Sequence, residues 1–212
     1  LADGSQRMEK RIAVLGGSTT NDIISMLELF LLNCGIQPAF YQSEYAQYWQ
    51  NAMFDNPELE SFQPDLIFIH TTSRNITEAP LPLSASEQEV RDALERQFSH
   101  FSQMWERLHE VYHCPIIQNN FELPSTRLMG NRDAWDCHGM VWFIQELNRK
   151  FGQYAASHSD FYLHDLHYLA ASYGLDAWHD DSYWYLYKYA MTLDAVPVSY
   201  THLRAHETRH DL

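Results

Sequence analysis

The chain reads as an α/β fold: a mostly parallel sheet covered by helices on both faces. Three observations predict it. Short apolar runs alternate with amphipathic stretches from one end to the other, the signature of repeated strand-helix units. The run Pro64-Asp65-Leu66-Ile67-Phe68-Ile69-His70 is apolar almost throughout, as a strand buried on both faces must be. Between the first strand and first helix stands Gly16-Gly17-Ser18-Thr19-Thr20, at the kind of turn where open α/β sheets hold their ligands.

The elements follow in order. Residues 11–15 form the first strand, and residues 23–33 a helix opened by Asn21 or Asp22 as N-cap and closed by Cys34-Gly35. Residues 38–42 are the second strand, and residues 45–53 a helix with Tyr45, Tyr48, Trp49 and Met53 at helical spacing. The third strand ends at His70. Ser84-Ala85-Ser86-Glu87 then introduces a long outer-layer helix to residue 112, with the stripe Phe98, Phe101, Met104, Trp105 and Leu108. Residues 115–118 are the fourth strand, 133–154 a helix, and 160–163 the last strand. Residues 167–172 and 183–191 are the closing helices.

Residues 198–212, which begin VSYTHLRAHET, carry no apolar period and resemble one reading frame of a transposon-end sequencing adapter. They are set aside as a non-native tail. Residues 1–9 are an unassigned leader without a period. About 190 residues remain, enough for one α/β domain with a full core. Both ends look cut, so the chain is expected to be a fragment of a longer protein.

The formal charge is −14, with 14 Lys and Arg against 28 Asp and Glu. Such a surface argues against nucleic acid or anionic membrane as partner. No apolar run is long enough to span a bilayer, and none resembles a signal peptide. Cys34, Cys114 and Cys137 lack metal-ligand spacing, so reduced thiols in a cytoplasmic protein are expected, with no metal site. There is no Walker loop and no Gly-x-Gly-x-x-Gly, which disfavours nucleotide binding.

Ser18 is the first candidate for chemistry. It sits beside free backbone N–H groups and the positive end of a helix, where an anion or developing oxyanion is stabilised. As a nucleophile it needs a histidine base held by a carboxylate. Asp176-Ala177-Trp178-His179 offers both on one short loop, His179 as base and Asp176 as its orienting group. Further donors would come from loops on the same rim: Asn75 first, then Asn119 or Asn120, with the Gly17 backbone. The competing reading makes Ser18 an anion-binding or turn hydroxyl, Asp176–Asp181 a surface loop capping the final helix, and the asparagines ordinary loop residues.

The segments IAVLGGSTTN, PDLIFIHTT, IIQNNFELPSTRLMG and residues 161–188 together resemble the amino-terminal domain of FkbH-like proteins. These proteins fuse an SGNH-hydrolase-like domain to a HAD-superfamily, subfamily IIIC, phosphatase-like domain. The resemblance spans residues 10–197 and implies a flavodoxin-like, three-layer α/β/α sandwich. It puts Ser18 on the family's block I serine, and Asp176 and His179 near its terminal Asp-x-x-His. It also implies a missing HAD-like domain as intramolecular partner, with any Mg2+ belonging there and no cofactor here, and acyl carrier protein as a possible second partner. Gly17 stands where SGNH hydrolases carry Asp, and a second register, with Asp181 as the acid, puts Trp184 in place of the base. Two functions follow: a serine esterase or acyl-transfer site acting with the phosphatase-like domain on an acyl or glyceryl carrier substrate, or a non-catalytic substrate- or carrier-binding domain of the same fusion.

Overall fold

A computed structural model describes residues 7–201; residues 1–6 of the leader and 202–212 of the tail lie outside the described residues. Five strands form one parallel sheet: β1 (Met8–Gly16), β2 (Ile36–Gln42), β3 (Leu66–His70), β4 (Ile116–Asn119) and β5 (Phe161–His164). Their spatial order is β2-β1-β3-β4-β5. The register aligns Gly16 with His70 and Asn119 with His164, so all strands finish on one rim. The chain winds one way from β1 to β2 and the other way from β3 to β5. The switch point therefore falls between β1 and β3, the expected ligand crevice of such sheets.

The helices are α1 (Asn21–Asn33), α2 (Tyr48–Met53), α3 (Pro57–Phe62), α4 (Glu87–Tyr112), α5 (Met140–Ser157), α6 (Leu166–Tyr173), α7 (Leu175–Trp178), α8 (Asp181–Tyr187) and α9 (Val196–Thr201). Strand side chains alternate between the two faces. Ala13, Leu15, Ile67 and Ile69 pack with Phe101, Trp105 and Phe151 of α4 and α5. Ile12, Val14, Phe68 and Ile117 face Leu27, Leu169 and Trp178 of α1, α6 and α7. Two cores on one sheet make three layers. No described helix is long and apolar enough to cross a membrane.

Local signals explain most boundaries. Ser86 caps α4 in a capping box with Glu89, and Asp180 caps α8 through the N–H groups of Ser182 and Tyr183. Gly35 takes φ +82° after α1, a conformation that a side chain would resist. Four expectations need correction. Helix α1 begins at Asn21 with Thr20, rather than Asn21 or Asp22, at the N-cap, and no side chain closes that cap. The helix expected at 133–154 is broken, because Asp133 turns back to accept from Met129 N and Val141 N at 3.0 and 2.8 Å. A short 3-10 turn precedes the break, and α5 starts only at Met140. The helix expected from Tyr45 begins at Tyr48, since Ala46 has φ 57°. The last predicted helix stops at Tyr187, where Lys188 enters the left-handed region at φ 60°.

Candidate functional site

Ser18 stands just past the end of β1 and is buried, with its Oγ 3.3 Å from Nδ1 of His70. His70 ends β3, directly across the switch point, and is fully buried. Burial drives its pKa down from 6.5 to about 3, aided by His164 nearby, so the ring is neutral. The turn itself is well tied. Gly16 N donates to Ser43 Oγ at 2.9 Å, Gly17 N to the His70 carbonyl at 2.8 Å, and Thr19 N to the Lys188 carbonyl at 2.9 Å. Among the described residues none accepts from the Ser18 amide. That N–H, the Ser18 hydroxyl and the start of α1 share one corner of the rim.

Thr71–Asn75 closes the other side of this corner. Asn75 accepts from Thr72 N at 2.9 Å and donates through Nδ2 to the Gly17 carbonyl at 3.1 Å. A Cβ built on Gly17 would lie 2.4 Å from Asn75 Oδ1. The Asn75 carboxamide thus fills the space that a side chain at position 17 would need, which accounts for glycine there. Gly17→Ala is expected to destabilise the domain by roughly 1–3 kcal/mol through this overlap. Thermal melts of Gly17→Ala, Asn75→Ala and the double variant should show costs that are less than additive. A stability of Gly17→Ala equal to wild type would contradict the overlap.

The other predicted residues are placed differently. Asn119 is fully buried and spends its carboxamide on Thr71 N, Thr71 O and Asn120 O. Asn120 donates to Asp165 and accepts from His167 N, tying β4 to the start of α6. His179 directs Nε2 to the Leu123 carbonyl at 2.8 Å. Asp176 is exposed in α7 and forms no ion pair among the described residues. The structure brings Ser18, Gly17 and Asn75 together. Among the described residues no hydrogen bond joins Ser18 to His179, and the histidine within hydrogen-bond distance of the serine is His70.

Sequence reasoning passed over three further residues. His70 closes an apolar run, so its position at a strand end was the available signal. Glu122, buried at 1% exposure, accepts from both Ser73 N and Ser73 Oγ and fixes the loop after β3. Arg74 leaves that loop outward, pairs with Asp181 of α8, and lies 5.1 Å from the Trp184 ring centre. A separate cluster, Asp136, Cys137 and His138, brings three donor atoms within 4.8 Å of one another. His138 spends Nδ1 on Asp136 and Nε2 on the Ala85 carbonyl, which ties this turn to the segment before α4.

A parallel five-stranded sheet between two helix layers, with a serine at the β1 turn and the switch point beside it, has the SGNH-hydrolase-like fold. Solved structures agree on the fold. The N-terminal part of a Bacteroides fragilis protein, containing a phosphatase domain complexed with Mg, superimposes with TM-score 0.77 at 18% identity, over 92% of this chain and 51% of that one. A putative acylhydrolase of the same organism gives 0.53 at 16%, over 94% and 87%. An acetylxylan esterase variant of Geobacillus stearothermophilus gives 0.53 at 11%, over 94% and 95%. The chain therefore spans about half the length of the Bacteroides chain with the phosphatase domain. A comparison with curated proteins finds no match. The family model of the FkbH N-terminal domain matches residues 11–203, and the chain belongs to that family. The match reaches into the segment from residue 198 that the sequence reading sets apart.

Proposed function

We propose that this domain is the substrate- or carrier-binding half of an FkbH-like fusion, with Ser18 as a hydrogen-bonding hydroxyl that seats the ligand. One observation carries the reading: the histidine at Ser18 is a buried, neutral His70 of pKa about 3, while His179 is held on the Leu123 carbonyl. A general base works best with a pKa near the operating pH, and His70 lies far below it. The free Ser18 N–H and the N-terminus of α1 suit an oxyanion or phosphate on a pantetheine-like arm. In this reading a HAD-like phosphatase domain of the parent chain, with its Mg2+, acts on what this domain holds, in the cytoplasm.

A second reading keeps Ser18 as the nucleophile of an esterase or acyl transfer. Its support is the strand-end position of the serine in a fold shared with an acetylxylan esterase. Fluorophosphonate labelling with a 4′-phosphopantetheine titration separates the two. Binding predicts no adduct on Ser18, and a Ser18→Ala variant that binds phosphopantetheine about five- to tenfold more weakly, the loss of one hydrogen bond to a charged or polar group. A stoichiometric adduct absent from Ser18→Ala would replace binding by nucleophilic catalysis.

A further inference from the structure

The rim above Ser18 carries two cations on one aromatic surface. The Arg74 guanidinium lies 5.1 Å from the centre of the Trp184 ring and 5.8 Å from that of Tyr185. Lys188 Nζ lies 5.7 and 6.0 Å from the same two rings. Ring contacts of this kind hold a cation in place without neutralising it. Lys188 is tied to the serine turn by its own backbone, and Arg74 through the side chain of its neighbour Asn75. The Lys188 carbonyl accepts from Thr19 N, and the Tyr187 carbonyl accepts from Thr19 Oγ1 at 2.7 Å. Arg74 precedes Asn75, which holds the Gly17 carbonyl.

Charge makes the arrangement informative. In a chain of net charge −14, the general field repels anions, so an anionic ligand needs local cations. Lys188 forms no ion pair with a carboxylate among the described residues. Arg74 is paired with one, Asp181, whose side chain is 74% exposed. A pair this exposed is weakly held and readily exchanged.

We propose that Arg74 and Lys188, spread on Trp184 and Tyr185, form an anion subsite beside Ser18 for a phosphate or carboxylate group of the ligand. The Asp181 carboxylate occupies the guanidinium as an internal competitor that such a group displaces. This rests on the binding reading of Ser18 and adds the chemical class of what is bound there. An arginine fork suits either oxyanion bidentately, and the lysine adds a point charge.

The test titrates the full chain with sodium phosphate or sodium acetate against chloride at constant ionic strength. It follows the Trp184 indole N–H resonance, assigned with Trp184→Phe. A saturable shift is expected with one anion or both, and which one identifies the group recognised. Arg74→Gln and Lys188→Gln should each weaken binding about five- to tenfold. Asp181→Asn should tighten it about two- to fivefold, although it removes an ion pair that a purely structural role would need. No shift with either anion, or equal affinities across all variants, would overturn the subsite. Phosphopantetheine binding that depends on Ser18 but not on Arg74 or Lys188 would sink the subsite and leave the Ser18 reading standing. Anion binding that depends on Arg74 and Lys188 but not on Ser18 would do the reverse.

Discussion

Acidification below pH 6.5 is expected to destabilise this domain steeply through His70. The residue is fully buried between the Ser18 turn, Phe68 and His164, and burial holds its folded pKa at about 3 against 6.5 for a free histidine. The folded state therefore binds fewer protons than the unfolded state between these values. Stability is fully present above pH 6.5 and is lost as the pH falls toward 3, at about 1.4 kcal/mol per pH unit for one group. Over the whole interval the loss approaches ~5 kcal/mol, comparable with the total stability of many domains. Urea midpoints for wild type and His70→Gln between pH 7.5 and 4.5 check this. The variant begins less stable, because its side chain fits the pocket less well, but the gap should narrow with each step down in pH. Other titrating groups, such as Asp65 held below its usual range by the Arg11 hydrogen bond, act equally in both proteins and cancel. Parallel curves would show that the His70 ring charges as easily in the fold as in water.

The same residue shows where sequence reading stops. The strands were legible because each is a short apolar run, and the sheet needs those residues on both faces. The helix ends were legible where a side chain makes the cap, as at Ser86 and Asp180. The break before α5 was not, because it depends on Asp133 folding back over Gly139, a contact across a loop rather than a local preference. For the site, the Gly-Gly-Ser turn and Asn75 could be named from their places at strand ends. Which histidine meets Ser18 could not. Asp176 and His179 are adjacent in sequence as a pair should be, whereas Ser18 and His70 are brought together only by the register that sets Gly16 beside His70. The Arg74–Trp184–Lys188 surface likewise joins two segments more than a hundred residues apart. Pairings across a sheet switch point are set by tertiary structure, and local pattern carries no information about them.

Trp105→Ala is expected to cost about 3–5 kcal/mol, the usual range for emptying a large buried aromatic site. Trp105 is 1% exposed in the middle of α4, with ring centres of Phe161, Phe151 and Tyr154 within 4.6, 4.7 and 4.7 Å. These rings come from β5 and α5 and cannot close the gap without moving whole elements. The indole also does polar work: its Nε1–H donates to Gln118 Oε1 at 3.2 Å. Gln118 in turn donates through Nε2 to Thr71 Oγ1 and the Asn119 carbonyl at 2.9 and 2.8 Å. Removing the indole leaves a buried carbonyl oxygen unpaired and loosens the residue that follows His70. Trp105→Phe separates the two contributions, since it keeps most of the packing and loses only the hydrogen bond, for about 1–3 kcal/mol. Denaturant unfolding should rank wild type above Trp105→Phe and that above Trp105→Ala. The Trp105→Ala cost, at 2–4 °C per kcal/mol for a domain of this size, corresponds to a fall in Tm of roughly 6–20 °C. A change below about 1 kcal/mol in Trp105→Ala would mean that the core collapses onto the cavity, contrary to the close packing of its rings. The hydrogen bonds from Trp105 through Gln118 to Thr71 make the aromatic core the support of the rim that carries the candidate site. Phosphopantetheine affinity is therefore expected to fall in Trp105→Ala even under conditions where the variant stays folded.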